Sequence, residues 1–372
     1  MQTAGIVSEY NPFHRGHARH LEATRRAGAD FIVCVMSGDF VQRGEAAIMS
    51  RWARARAAVA CGADLVLALP LTWALSPARR FAHGAVYLLE ALGCIDTLSF
   101  GSECGDASLI KNAALVLSST KTQAVLREHI KQGKSYAAAA EAALRSAAPD
   151  CAGILTAAND TLGVEYLSAL ERLGSSVRPF TVRREEGGLG YRAEELRREL
   201  RNGADIAACL PEASADIFRA EAAGGRVLTE PCEAAVLSRL CSMRTEEFAA
   251  LPEVREGLEN RLYAAARNAL SLEDFFAGAK TRRFTRASLK RIAMDALLGI
   301  RAEDWHETPG YLHVLAMGER APEILRRAKK TASLPIIHSA GQVRKLEDRA
   351  QQAFALERRA EEIWRILAQG GA

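Results

Sequence analysis

"TAGIVSEYNPFHRGHARHLEATRRAG" (residues 3–28) decides how the rest of the chain is read. Its start, "TAGIVS" (3–8), is a continuous apolar run, as expected of a strand buried on both faces. Residues 15 to about 27 carry a helical pattern ending near Gly28. Between them stand an Asn-Pro pair and three of the chain's eight histidines, His14, His17 and His20. Asn11 reads as a helix N-cap and Pro12 as the first helical position. His14 and His17 then share one face of the first turn, and Gly16 between them removes a Cβ where a ligand could approach.

A helix N-terminus just after a strand presents free N–H groups and positive potential to an anion. Two imidazoles there can hydrogen-bond phosphate oxygens and stabilise charge that builds as a phosphoanhydride breaks. Two other readings compete. A surface helix can carry histidines with no role, but the preceding strand and the intervening glycine argue against it. Metal-binding histidine pairs usually stand at i, i+4 with further ligands, so no metal site is expected. His20 extends the same face as a supporting or surface residue.

Moving outward, "FIVCVMS" (31–37), "DLVLALP" (64–70) and "DTLSFGS" (96–102) are further continuous apolar runs. Helical segments at about 49–61 and 76–92 separate them. Strand alternating with helix predicts right-handed crossovers and a doubly wound, Rossmann-like parallel sheet of the α/β class. Ligands of such sheets sit beyond the carboxyl ends of the strands, where the polar turns after these runs would share one crevice. A helical stretch (106–146), "AANDTLGVEYLSALERLG" (157–174) and a late strand "VRPFTVRRE" (177–185) follow. The nucleotide-binding domain is expected to span 1–225, closing at the "AAGGR" glycines. Residues 226–372 show helical periodicity and almost no strand signal, predicting an all-helical second domain.

The chain has 372 residues, 49% hydrophobic and 25% charged, with a formal net charge of +4. That balance is ordinary for a soluble protein and too small to imply nucleic-acid binding by itself. The eight cysteines are dispersed without a C-x-x-C pair, which suits a reducing compartment rather than a zinc ribbon or disulfide framework. The most apolar window (57–75) carries Asp64 and Pro70. It reads as buried strand and loop, not a membrane span, and no signal peptide is visible. A cytoplasmic protein is expected.

Further candidates lie in the turns. In "SGDFVQRGEAAIMSRWARA" (37–55), Gly38 and Gly44 permit unusual backbone angles, while Asp39, Gln42, Arg43 and Arg51 offer polar groups to the crevice. Gly101 in "SFGSE" could let adenine or ribose lie against the backbone. Asn159 in "NDTLG" reads as a helix cap. In "TVRREEGGLGY" a guanidinium, Arg183 or Arg184, could reach a triphosphate. The stretch "AKTRRFTRASLKRI" (279–292) sets Lys280, Arg282, Arg283, Arg286, Lys290 and Arg291 around Phe284, as nucleic-acid surfaces often do. A solvated helix face competes with that reading.

Together, "GIVSEYNPFHRGHARHL", "MSGDFVQRGEAAI", "LSFGSECGD", "NDTLGVEYLSAL" and "KTRRFTRASLKRI" stand in the order and spacing of one family. The chain resembles the bacterial tRNA(Met) cytidine acetate ligases, within the nucleotidyltransferase-like His-x-Gly-His superfamily. That resemblance implies an enzyme that forms acetyl-adenylate from ATP and acetate. It then acetylates N4 of the wobble cytidine of elongator tRNA(Met). By matching position it implies an ATP-binding stretch of Ile6, Val7, Ser8, Glu9, Tyr10, Asn11, Pro12, Phe13, His14, Arg15, Gly16, His17, Ala18 and Arg19. Gly101, Asn159, Arg184 and Glu185 would add contacts, and His14 and His17 would steady the phosphates. Mg²⁺ is expected with the triphosphate, and the basic helical domain would bind tRNA.

Three positions depart from the family's pattern. Its Ser-Ala-Thr segment before an Ile-Arg is replaced by "GYRAEELRREL", which keeps Arg197; Glu185 follows Arg184; and Asp39 stands where asparagine is common. Two alternatives stay open on the sequence. One is a nucleotidyltransferase that adenylylates a small phosphorylated cofactor precursor. The other is a nucleotide- or RNA-binding protein with a degenerate catalytic site.

Overall fold

A computed structural model of the chain describes residues 1–184, 192–230, 232–255 and 257–369. The strands are β1 (Thr3–Ser8), β2 (Phe31–Ser37), β3 (Phe40–Val41), β4 (Glu45–Ala46), β5 (Leu65–Leu69), β6 (Thr97–Ser102), β7 (Arg178–Arg183), β8 (Leu312–Met317) and β9 (Ile336–Ile337). Seven of them form one sheet in the order β7-β6-β1-β2-β5-β8-β9, while β3 and β4 make a separate hairpin. β1, β2, β5, β6 and β7 pair in parallel, as the alternating pattern predicts.

Every residue of β2 and β5 is buried, because helices cover both faces of a parallel sheet. Side-chain alternation divides each run between two cores. Val33, Val35, Leu65, Leu67 and Leu69 face the core made with helices Ala78–Leu92 and Ala158–Arg172. Ile32, Cys34, Met36, Val66 and Ala68 face the opposite core, against helices Arg15–Arg26 and Arg51–Ala60. The predicted helical stretch 106–146 is three helices, Ala107–Ser118, Thr120–Lys131 and Tyr136–Ala147.

Beyond residue 226 the chain is mainly helical but also supplies two strands. β8 pairs antiparallel with β5, through Leu67↔Val314 and Ala68↔His313, and β9 extends the edge. The sequence reading missed them because β9 is two residues long and β8 carries a histidine at its second position. The helical part is also welded to the sheet part. Phe40, Leu71 and Leu75 belong to the same hydrophobic cluster as Val236, Phe248, Phe275, Leu289 and Trp364. Trp364 Nε1 donates to Ala47 O at 2.6 Å.

Candidate functional site

The Asn-Pro pair is not the start of the first helix. Asn11 is buried before the helix: its Oδ1 accepts from Ile48 N at 2.9 Å, and its carbonyl accepts from Arg197 Nη1 at 2.8 Å. The Asn11–Pro12 peptide is cis, and Tyr10 sits at φ +46°. Phe13 O accepts from Ser214 Oγ at 2.9 Å. "YNPF" is thus a turn fastened to the chain's later segments, which an N-cap assignment cannot describe.

The cap is His14. The helix begins at Arg15, and His14 Nδ1 accepts from Gly16 N at 3.1 Å while His17 Nδ1 accepts from His14 N at 3.2 Å. The two rings stack with centroids 3.6 Å apart and planes inclined by 20°. A nitrogen that accepts an amide hydrogen bond carries no proton, so the ring proton of each imidazole lies on Nε2. Burial, then the charges of Arg184 and Arg197, pushes the His14 pKa down to about 3. Burial and then His14 hold His17 well below the ordinary histidine range. The helix N-terminus therefore carries two neutral imidazoles, each able to donate from Nε2.

His20 is a supporting residue, as expected. Its Nε2 lies 2.8 Å from Ser99 Oγ on β6, and Thr24 Oγ1 bonds the same hydroxyl at 2.7 Å. Arg184 follows β7, and its backbone N–H donates to Ser102 O at 2.8 Å. Its side chain runs over Gly101, where a Cβ would stand 3.5 Å from Arg184 Cγ. The fold thus gathers His14, His17, Gly101 and Arg184 at the carboxyl ends of β1, β6 and β7. Glu185 lies outside the described residues.

Within the motif, Ile6, Tyr10 and Phe13 bury their side chains in the core, and Pro12 is buried too. Val7, Ser8, Gly16 and Ala18 are half-buried, while Arg15 and Arg19 are exposed. Arg15 Nη2 donates to Ala208 O at 2.8 Å. Glu9 Oε1 accepts from Gln42 N at 2.9 Å, tying the turn after β1 to the β3–β4 hairpin. Asn11 Nδ2 and Arg197 Nε are buried donors without a partner among the described residues. Such orphans are uncommon in folded proteins, and both sit beside the histidine turn. Arg197 is 5% exposed, and its Nη2 contacts Glu45 Oε1 at 2.9 Å.

Three expectations need correction. Asn159 does not cap its helix; the N-cap is Ala157, and Asn159 Nδ2 donates to Glu103 Oε1 at 2.5 Å. Its neighbour Asp160, which the sequence reading passed over, is 3% exposed and fixes the loop after β6. Asp160 Oδ1 accepts from Ser102 Oγ (2.5 Å) and Glu103 N (2.9 Å), and Oδ2 accepts from Cys104 N (3.1 Å).

Asp39 and Arg51 do not offer charge to the crevice. Asp39 Oδ1 accepts from Arg51 N at 2.7 Å, and Arg51, 2% exposed, is held by Asp39, Glu357 and Glu361. The carboxylate is therefore paired and not set against a polyphosphate. Arg54, which no motif flags, is wholly buried and donates to the carbonyls of Glu9, Gly38 and Met49. It joins the turns after β1 and β2.

The basic stretch is also not uniform. Lys280, Arg282, Arg283 and Arg286 are exposed and Lys290 is half-buried. Arg291 is buried and forked onto Glu253 at 2.5 and 2.8 Å, so it belongs to the core rather than to a nucleic-acid surface. Arg286 pairs with Glu273.

The profile of the HIGH nucleotidyl transferase family matches residues 1–371. A tRNA(Met) cytidine acetate ligase of Acetivibrio thermocellus is 36% identical over 366 residues, covering 91% of this chain and 88% of that protein. The enzyme of the same name from Alkaliphilus metalliredigens is 31% identical, covering 100% and 96%. The crystal structure of Thermotoga maritima TmcAL bound with α-thio ATP superposes with a TM-score of 0.92 at 31% identity, over 98% of this chain and 94% of that one. On this fold, this site and these likenesses, the chain belongs to the HIGH nucleotidyl transferases and, within them, to the tRNA(Met) cytidine acetate ligase family.

Proposed function

We propose that the protein joins acetate to tRNA(Met) in two steps, with residues 1–225 carrying the chemistry and 226–372 presenting the RNA. A carboxylate oxygen of acetate attacks the α-phosphorus of ATP, the α–β anhydride bond breaks, and pyrophosphate leaves. N4 of the wobble cytidine of elongator tRNA(Met) then attacks the acetyl carbon, AMP leaves, and the N4 proton passes to solvent. The observation that carries this reading is the stacked His14–His17 pair at a helix N-terminus beside Arg184. Neutral Nε2–H donors and a guanidinium suit charge growing on phosphate oxygens. No protein nucleophile is required.

The remaining assignments follow from position. Ile6 to Arg19, Gly101, Asn159 and Arg184 would surround ATP, with Asn159 acting through Glu103. Lys280, Arg282, Arg283, Arg286 and Lys290 would face RNA phosphates. Among the described residues no group of three His, Cys, Asp or Glu side chains is placed to hold a metal. A Mg²⁺ ion would accordingly arrive on the triphosphate, neutralising part of its charge. No helix among the described residues is long and apolar enough to cross a membrane, which fits an enzyme acting on cytoplasmic tRNA.

The test measures pyrophosphate release from ATP and acetate, with and without tRNA(Met) transcript, and N4-acetylcytidine by mass spectrometry. Acetate-dependent pyrophosphate release and tRNA-dependent acetylcytidine are expected. Turnover only with a phosphorylated cofactor precursor would replace this reading with a small-molecule nucleotidyltransferase. ATP binding without any turnover would replace it with a degenerate binding protein.

A further inference from the structure

Apart from the histidine turn, a cavity of about 380 Å³ opens between two parts of the chain that are distant in sequence. One wall is Gln132 and Gly133, the turn between helices Thr120–Lys131 and Tyr136–Ala147; the other is Arg261 with Arg282, Arg283 and Phe284. We propose that this cavity seats one unpaired nucleotide of the RNA substrate, its phosphate on Arg261 and Arg282 and its base against Phe284. The proposal rests on the RNA reading above and specifies where that partner is gripped.

The volume lies within the roughly 300–1,000 Å³ of small-ligand sites. Arg261, Arg282 and Arg283 are exposed, and none of the described lining residues is acidic. Lys131 and Lys134, also exposed, flank the opposite turn, with Lys134 Nζ 3.2 Å from His129 Nδ1. Positive charge therefore rims the opening on both sides. Gly257, at φ +81°, precedes helix Leu258–Asn268 at the cavity wall. Leu258 N donates to Arg255 O at 3.2 Å and Glu259 stands in the first turn, so the positive charge comes from the arginine and lysine side chains.

Phe284 is half-buried, packed on the helical core on one side and lining the cavity on the other. Its loop is preset, because Thr281 Oγ1 accepts from the backbone N–H of Arg283 (3.2 Å) and Phe284 (3.1 Å). An aromatic face with arginines around it suits a single-stranded nucleotide, whose base stacks while its phosphate is neutralised.

Position links the cavity to the chemistry. The same segment continues into helix Arg286–Leu298, whose first turns touch the β3–β4 hairpin. A Cβ on Gly44, at φ +74°, would stand 2.6 Å from the backbone of Lys290 and Arg291. Arg286 to Lys290 spans about 6 Å of helix axis, slightly less than the rise of two stacked nucleotides at ~3.4 Å each. The cavity segment and the hairpin are thus joined through one helix.

The experiment measures binding of fluorescein-labelled tRNA(Met) transcript by anisotropy, between 50 and 200 mM salt, for the full-length protein and its variants. Arg261→Glu should weaken binding about tenfold or more and lower the salt slope by about one. Phe284→Leu should weaken binding severalfold with the salt slope unchanged, because it removes stacking and not charge. Unchanged thermal midpoints would show that the variants are folded. Should the Phe284→Leu fold fail, the exposed Arg261 and a Lys134→Glu variant decide. If Arg261→Glu and Lys134→Glu bind as the unaltered protein does while Arg282→Glu binds weakly, the cavity is not the seat and the RNA reading stands. If the unaltered protein itself does not bind tRNA, the RNA reading falls and this proposal falls with it.

Discussion

His14 and His17 lock each other: the backbone N–H of His14 donates to His17 Nδ1 at 3.2 Å, and their rings stack 3.6 Å apart. Removing the second imidazole therefore removes both a donor and the contact that orients the first. His17→Ala should slow acetate-dependent pyrophosphate release by about 10²–10³-fold, the usual loss for one preorganised donor to a developing oxyanion. The unfolding midpoint should fall modestly, by the roughly 0.5–2 kcal/mol of a lost cap interaction, while the protein stays folded at assay temperature. A variant forming acetyl-adenylate at the original rate would remove His17 from catalysis.

His20 should make stability fall with acid. Burial and then Arg184 push its pKa down to about 4, against an ordinary 6.5. Between pH 6.5 and 4 the unfolded chain therefore binds a proton that the native protein does not. The contribution is complete above pH 6.5 and is lost as pH falls through that window, at up to about 1.4 kcal/mol per pH unit. His20→Gln keeps a donor for Ser99 but does not titrate. Urea unfolding from pH 7.5 to 4.5 should be less steep in that variant, and equal steepness would assign the acid sensitivity elsewhere.

Asp160 orders the loop that follows β6, beside Gly101. Its carboxylate accepts from Ser102 Oγ and from the amides of Glu103 and Cys104. Asp160→Ala should cost about 2–3 kcal/mol in urea unfolding, because buried amides lose a charged acceptor. It should raise the ATP KM more than it lowers kcat.

Gly44 should tolerate no side chain. Its backbone is left-handed at φ +74°, and an added Cβ meets the backbone of Lys290 and Arg291 at 2.6 Å. Gly44→Ala should cost about 2–3 kcal/mol, the sum of backbone strain and a clash that no rotamer relieves. A urea midpoint unchanged from that of the unaltered protein would show that the hairpin shifts freely away from the basic helix.

Much of the architecture was legible from local pattern. The runs at 3–8, 31–37, 64–70 and 96–102 are strands paired in parallel, as predicted, because continuous apolar character marks a strand covered on both faces; their order in the sheet was not legible. The histidine turn was legible as a strand-to-helix junction for the same local reason: strand, glycine and helix start lie within fourteen residues. The basic stretch was legible as charge but not as surface. Arg282 and Arg291 look alike in sequence, and only the presence of Glu253 beside Arg291 buries the second.

The amino-acid sequence by itself determined the doubly wound sheet and the position of the histidine turn after its first strand, since these depend on periodicity and neighbours a few residues apart. Tertiary structure decided which residue caps the first helix. Asn11 is drawn off to Ile48 and Arg197, partners 37 and 186 residues away, and His14 takes the cap. It also decided that Asp39 and Arg51 are spent on each other and on Glu357, and that a strand near residue 312 closes the sheet against β5. Hydrogen bonds and ion pairs between distant segments leave no period in a sequence. Their effect is seen only when folding brings the partners within about 3 Å.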